Sequence, residues 1–186
     1  MTHSELFLLE TAELAARLDF WKIEQMADAL SKCSGRVYVI GLGGSMANAI
    51  HFAADLRKLC NLDATVFDNI AELTARMNDE GAETIFDSWI AKISQKDVLF
   101  VLSVGGGTEK VSRGISRGLE RARGNGATIF GIVGPDGGKT ALNASICIKV
   151  PVENKERITP HTEAFQAVIW HCLVSHPYLQ KNKTKW

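Results

Sequence analysis

Residues 37–58 read VYVIGLGGSMANAIHFAADLRK. The run Val37–Ile40 is β-branched and aromatic and reads as a buried strand. It breaks on Gly41, Gly43 and Gly44, which permit a tight turn, and the chain continues through Ser45 as a helix. His51 and Asp55 are four residues apart on that helix, so they share one face about one turn apart. Such a pair can share a proton or a metal ion, or it can be an ion pair facing solvent.

Working outward, the same pattern repeats. After RVYVIG at 36–41 come ATVF at 64–67, DVLFVLS at 97–103, ATIFGIV at 127–133 and ICIKV at 146–150, mostly separated by amphipathic segments of helical length. The runs are near-continuously apolar rather than alternating, as strands covered on both faces must be. The expectation is therefore an α/β fold, a five-stranded parallel sheet flanked by helices. One domain spans 1–186, with its α/β core at 34–186 and a helical segment at 1–33. That segment repeats apolar residues at helical spacing (Leu6, Leu9, Leu14, Leu18, Ile23, Met26 and Leu30), enough for two helices. The sheet has little need of this stripe, so the segment is assigned to oligomerisation. GPDGGKT at 134–140 has loop chemistry. The last helix is expected to start with Thr159 as N-cap and Pro160 in the first helical position, and to stop at His176-Pro177.

In an open parallel sheet, ligands bind at the carboxyl ends of the strands. Two of those ends are glycine-rich, GLGGS at 41–45 and SVGGGT at 103–108. Glycine lets backbone N–H groups approach an anion, and a following helix adds its dipole. Ser45, Ser103 and Thr108 add hydroxyls, and the helix after the second loop is expected to open near Thr108. Together the loops suit the terminal phosphate of a small molecule; alternatively the glycines only make tight turns. A dinucleotide fingerprint fails because Met46 stands where the third glycine of GxGxxG belongs, and there is no GxxxxGK[ST] loop. Asn78 and Asp79 could bond sugar hydroxyls or simply make a turn. In the last helix, Glu163 and His171 are eight residues apart, roughly 12 Å along a regular helix. One chain then cannot easily bring both to one centre: either the helix start is distorted or different subunits supply them. His171, beside Trp170 and Cys172, could also be a core histidine; His161 and Gln166 share that helix, and either could be an ordinary polar surface residue.

The bulk composition is that of a globular protein. Of 186 residues, 46% are hydrophobic and 23% charged, and Lys+Arg balance Asp+Glu at 21 each, so no charge excess points to nucleic acid or an anionic membrane. No apolar run reaches the roughly 18 residues needed to span a bilayer. The N-terminus carries acidic residues and no basic stretch, so no signal peptide is expected. Cys33, Cys60, Cys147 and Cys172 show no metal-finger spacing and read as reduced, mostly buried thiols of a cytoplasmic protein.

The order of motifs carries a resemblance. The helical N-terminus, a strand, GGS, a helix with HFAAD, the ND pair, SVGGGT, GPDGGK and the final TEAFQAVIWH resemble the sugar isomerase (SIS) domain, whose sheet is flavodoxin-like. Within that family the chain is most similar to the phosphoheptose isomerases, over nearly its whole length. The resemblance implies a homotetramer with sites between subunits and, in some members, zinc. It implies conversion of sedoheptulose 7-phosphate to D-glycero-D-manno-heptose 7-phosphate, toward activated heptose for cell-surface glycans. Residue by residue, it implies substrate contacts at Gly43, Gly44, Ser45, Asn78, Asp79, Ser103, Val104, Gly105, Thr108 and Glu163. It implies metal ligands at His51, Asp55, Glu163 and His171, with Asp55 as catalytic base and His171 as acid. The chain departs from the family at several of these positions. Leu42 replaces an asparagine, Asp55 a glutamate and Glu163 a glutamine, and Val104 and Gly105 replace two hydroxyl residues whose contacts backbone amides would have to supply. A non-catalytic SIS protein, sensing sugar phosphate or associated with a replication initiator, would keep the loops without needing Asp55 and His171. An isomerase of another phosphosugar is the other alternative.

Overall fold

The computed structural model describes residues 1–184, and its element order follows the expected alternation. Thr2 caps α1 (His3–Arg17) in a reciprocal capping box with Glu5, and Asp19 caps α2 (Phe20–Ser31) through the Lys22 amide. The core then runs β1 (Val37–Ile40), α3 (Gly44–Cys60), β2 (Ala64–Val66), α4 (Ile70–Asp79), β3 (Val98–Ser103) and α5 (Arg113–Gly124). It ends with β4 (Thr128–Val133), α6 (Gly138–Asn143), β5 (Ile146–Lys149) and α7 (Ile158–Val174).

The five strands are parallel in the order β2-β1-β3-β4-β5, with Val37 opposite both Ala64 and Val98, and Val98 opposite Thr128. All residues of β1 and β3 are buried, as their unbroken apolar runs require. The pleat divides the core. Val37, Val39, Phe100, Leu102, Phe130 and Ile132 face α2, α3 and α7, while Tyr38, Ile40, Leu99, Val101 and Ile129 face α5 and the segment around Phe86 and Ile90. The chain leaves β1 toward β2 on one side and returns to β3 on the other. The topological switch point, where an open sheet leaves a crevice, is therefore between the ends of β1 and β3. Both glycine loops lie there.

Several boundaries differ from expectation. The second glycine loop does not lead straight into its helix: α5 opens at Arg113, not near Thr108. The intervening residues form a turn in which the Thr108 hydroxyl accepts the amides of Lys110 and Val111. Part of GPDGGKT is helical, as the start of α6. Helix α7 starts at Ile158 with Arg157 as its cap residue, so Thr159 is not the N-cap and Pro160 lies within the first turn. Pro160 is tolerated there because first-turn amides have no partner inside the helix. Helix α1 buries only Leu14, leaving Leu8 and Leu9 66% and 52% exposed. Helix α2, by contrast, buries Ile23, Met26, Ala27 and Leu30.

Candidate functional site

Helices α3 and α7 pack side by side, and their contact gathers the polar residues. Nε2 of His51 lies 3.6 Å from Oδ2 of Asp55, with the Asp55 side chain only 15% exposed and that of His51 60% exposed. From α7, the His171 ring stands perpendicular to that of His51 with centroids 5.5 Å apart. One donor atom from each of His51, Asp55 and His171 lies within 4.8 Å of the others. His171 Nδ1 is 2.8 Å from the Ala167 carbonyl, so that nitrogen carries the proton and Nε2 is left to act as acid, base or ligand. Trp170 is buried beside the group with its ring centroid 4.6 Å from that of His51. Two imidazoles and a carboxylate are a donor set that fits a divalent metal with a coordination position open.

A single chain thus brings His51, Asp55 and His171 together, so the candidate acid and base need no second subunit. Glu163, expected as a fourth ligand, is not in this group. Its carboxylate lies instead over the start of α3: a Cβ added to Gly44 would sit 2.3 Å from Glu163 Oε2. A side chain at Gly44 would displace that carboxylate. The eight-residue spacing explains the separation, since α7 is one regular helix through both positions.

Between Glu163 and the metal-type cluster runs a network that the sequence reading missed. Gln166 is fully buried, not a surface residue, and its amide donates to the Ser45 hydroxyl at 3.1 Å. Asn48 Nδ2 donates to Gln166 Oε1 at 3.1 Å and to the Glu163 carbonyl at 2.9 Å. These bonds fix α7 against the first turn of α3 and hold Ser45, which is 2% exposed. The available signal was spacing: Gln166 follows Glu163 by three residues on one helical face, as Asn48 follows Ser45. His161 is also buried, bonded through Nε2 to Glu10 of α1 at 3.0 Å.

At the second loop, the candidate hydroxyls are engaged internally. Ser103 Oγ accepts the Gly106 amide at 3.0 Å, and the Thr108 hydroxyl donates to the Val111 carbonyl at 3.1 Å. Gly106 has φ +67°, and a Cβ there would lie 2.0 Å from the Gly137 carbonyl oxygen, so only glycine fits. The Thr140 amide and hydroxyl donate to the Gly106 carbonyl, tying the loop to α6. Gly105 is exposed with open space around it, and Val104 is half-buried with its carbonyl accepting the Gly134 amide. At the first loop, Gly43 is exposed with φ +60° and open space beside it.

A cavity of about 290 Å³ lies beside the switch point, with Leu42, Leu73, Met77 and Ile85 among its walls and Lys110 and Arg113 also lining it. Asn78 and Asp79 end α4 next to Met77. Both are exposed, and Asn78 Nδ2 donates to Asp79 Oδ1 at 2.7 Å. They are not brought to the His51 cluster.

The comparisons with known proteins agree with this fold. The SIS domain family model matches residues 17–134. The phosphoheptose isomerase of Rhodospirillum rubrum is 32% identical over 151 residues, covering 76% of this chain and 75% of that one. That of Edwardsiella ictaluri is 31% identical, covering 74% of each. Among solved structures, a phosphoheptose isomerase from Neisseria gonorrhoeae superposes with a TM-score of 0.78 at 25% identity over 92% of both chains. One from Francisella tularensis gives 0.74 at 26% identity, covering 94% of this chain and 97% of that one. The fold and the loops at its switch point define a sugar isomerase-type α/β domain. The chain belongs to the SIS domain family, and within it is most like the phosphoheptose isomerases.

Proposed function

We propose that this protein is an aldose–ketose isomerase that converts sedoheptulose 7-phosphate to D-glycero-D-manno-heptose 7-phosphate in heptose biosynthesis for cell-surface glycans. The observation that carries the reading is the convergence of His51, Asp55 and His171 within 4.8 Å where α7 meets the helix that leaves the first glycine loop, in a chain whose relatives are phosphoheptose isomerases. A protein that only bound sugar phosphate would need the loops and not this group.

The reaction moves a proton between adjacent carbons. Asp55, the proposed base, takes a proton from C1 of the ketose while His171, protonated on both ring nitrogens with Nδ1–H on the Ala167 carbonyl, gives its Nε2 proton to the C2 carbonyl oxygen, leaving a neutral imidazole and a cis-enediol. Return of a proton to C2 and loss of one from O1 completes the aldose. Well-positioned groups of this kind contribute about 10²–10⁴-fold each. Glu163 and the backbone of Gly43, Gly44 and Ser45 bond sugar hydroxyls, held by Asn48 and Gln166. His51, Asp55 and His171 are the residues that would hold zinc, which when bound would polarise the C2 carbonyl as a Lewis acid in place of the His171 proton. The protein works as a homotetramer in the cytoplasm. Support for assembly is the apolar face of α1 left exposed at Leu8 and Leu9, together with Phe20 and Trp21 at the start of α2, 61% and 67% exposed.

The test is an assay of the purified protein against a panel of ketose phosphates, with and without chelator and with zinc restored. Turnover of sedoheptulose 7-phosphate above the others, reduced by chelator and recovered with zinc, is the expected result. Absence of turnover on every ketose phosphate after zinc loading would overturn the reading.

A further inference from the structure

Resting on the isomerase reading, we propose that Lys110 and Arg113 recognise the phosphate of the sugar, taking over from the loop hydroxyls. Positions 104 and 105 are Val and Gly, without hydroxyls; Ser103 is 4% exposed with its Oγ accepting the Gly106 amide, and the Thr108 hydroxyl donates to the Val111 carbonyl inside the loop. The loop therefore offers a phosphate dianion little beyond backbone. The cavity beside it has apolar walls at Leu42, Leu73, Met77 and Ile85, and a dianion entering such a space needs counter-charge. Lys110 and Arg113 are the two cationic side chains that line it. Among the described residues Lys110 has no carboxylate partner, whereas Lys139, near the same loop, is held by Glu109 and Glu120. Arg113 meets Glu83 only at 3.8 Å, with its side chain 58% exposed, so its guanidinium keeps donors for a phosphate. Arg113 is also the first residue of α5, a helix of 12 residues whose N-terminus has no side-chain cap, so its dipole adds to the same field.

The arrangement gives Glu83 a definite part. It lines the same cavity and competes with phosphate for Arg113, so its carboxylate lowers the affinity for a dianion.

The experiment compares Lys110→Met, Arg113→Met and Glu83→Gln with the unaltered protein, each checked for folding by circular dichroism. KM and kcat are measured for sedoheptulose 7-phosphate and for sedoheptulose without its phosphate. Loss of a charge-assisted bond predicts KM for the phosphosugar about tenfold or more higher in the two cation variants, with kcat nearly unchanged. KM should fall in Glu83→Gln, and turnover of the unphosphorylated sugar should be the same in all four. An unchanged KM for the phosphosugar, or an equal loss on both sugars, overturns the proposal. Binding of inorganic phosphate, followed by phosphorus NMR line broadening, separates this inference from the isomerase reading. If no sugar is turned over, weaker phosphate binding in both cation variants still supports it, and undiminished binding refutes it.

Discussion

Asp55 owes its place to a helix register and to a neighbour. It is one turn from His51 on α3, and α7 brings His171 to the same spot. As the proposed base it has a carboxylate shorter by one methylene than the family's glutamate. The conservative change Asp55→Asn keeps shape and packing but removes the acceptor for a carbon-bound proton. Turnover is expected to fall by about 10²-fold or more while thermal stability and assembly stay as they were. Near-normal steady-state kinetics from a correctly folded Asp55→Asn protein would remove Asp55 from the mechanism. The buried cysteines belong to packing rather than chemistry: burial pushes the thiols of Cys60 and Cys147 up to about 11, far from the thiolate form at neutral pH.

Helix α1 is tied to the core by few apolar contacts, an exposed Arg17–Glu153 ion pair at 2.8 Å and a polar latch at Glu10. Glu10 accepts from Arg157 Nη1 at 2.6 Å and meets His161 Nε2 at 3.0 Å, while the Phe7 ring stacks on His161 with centroids 4.3 Å apart. The Arg157 guanidinium first, and His161 second, hold the Glu10 carboxyl down to about 2 from an ordinary 4.5. A folded-state value below the unfolded one means the latch stabilises fully above the unfolded value, and that contribution is lost as pH falls through the folded one. Stability measured by urea unfolding should therefore decline between about pH 5 and pH 2, and Glu10→Gln should flatten part of that decline. A variant whose acid limb matches the unaltered protein would show that the latch adds nothing.

For the whole molecule, the decisive fact is that one chain completes the His51–Asp55–His171 group. Mixing inactive Asp55→Asn with inactive His171→Ala under subunit exchange should restore no activity. Each exchanged assembly would still lack either base or acid in every site, so recovered turnover would mean that sites combine residues of two chains. Assembly itself is expected to depend on α1. Replacing Leu8 and Leu9, both largely exposed, with glutamate should shift the protein from the proposed tetramer to smaller species in sedimentation velocity. An unchanged sedimentation coefficient would place the subunit interface elsewhere.

The sequence by itself determined the five strands, their parallel order of alternation with helices, and the two glycine turns. Each of these is local: a strand covered on both faces must be apolar throughout, and a chain that turns within a few residues needs glycine. It also determined the His51–Asp55 pair, because residues four apart share a helical face. Only the tertiary structure decided which partners that pair meets. His171 joins it and Glu163 goes to Gly44, because the α3–α7 packing angle and register are set by side chains far apart in sequence. The same holds for burial of polar groups. Gln166 and His161 look like surface residues in a linear reading; Gln166 is buried because Ser45 and Asn48 bond its amide, and His161 because Glu10 bonds its Nε2, each across more than a hundred residues of chain. The start of α5 was hidden for a related reason. The Thr108 hydroxyl can cap a helix or close a turn with equal ease, and the packing of the loop on α6 selects the turn.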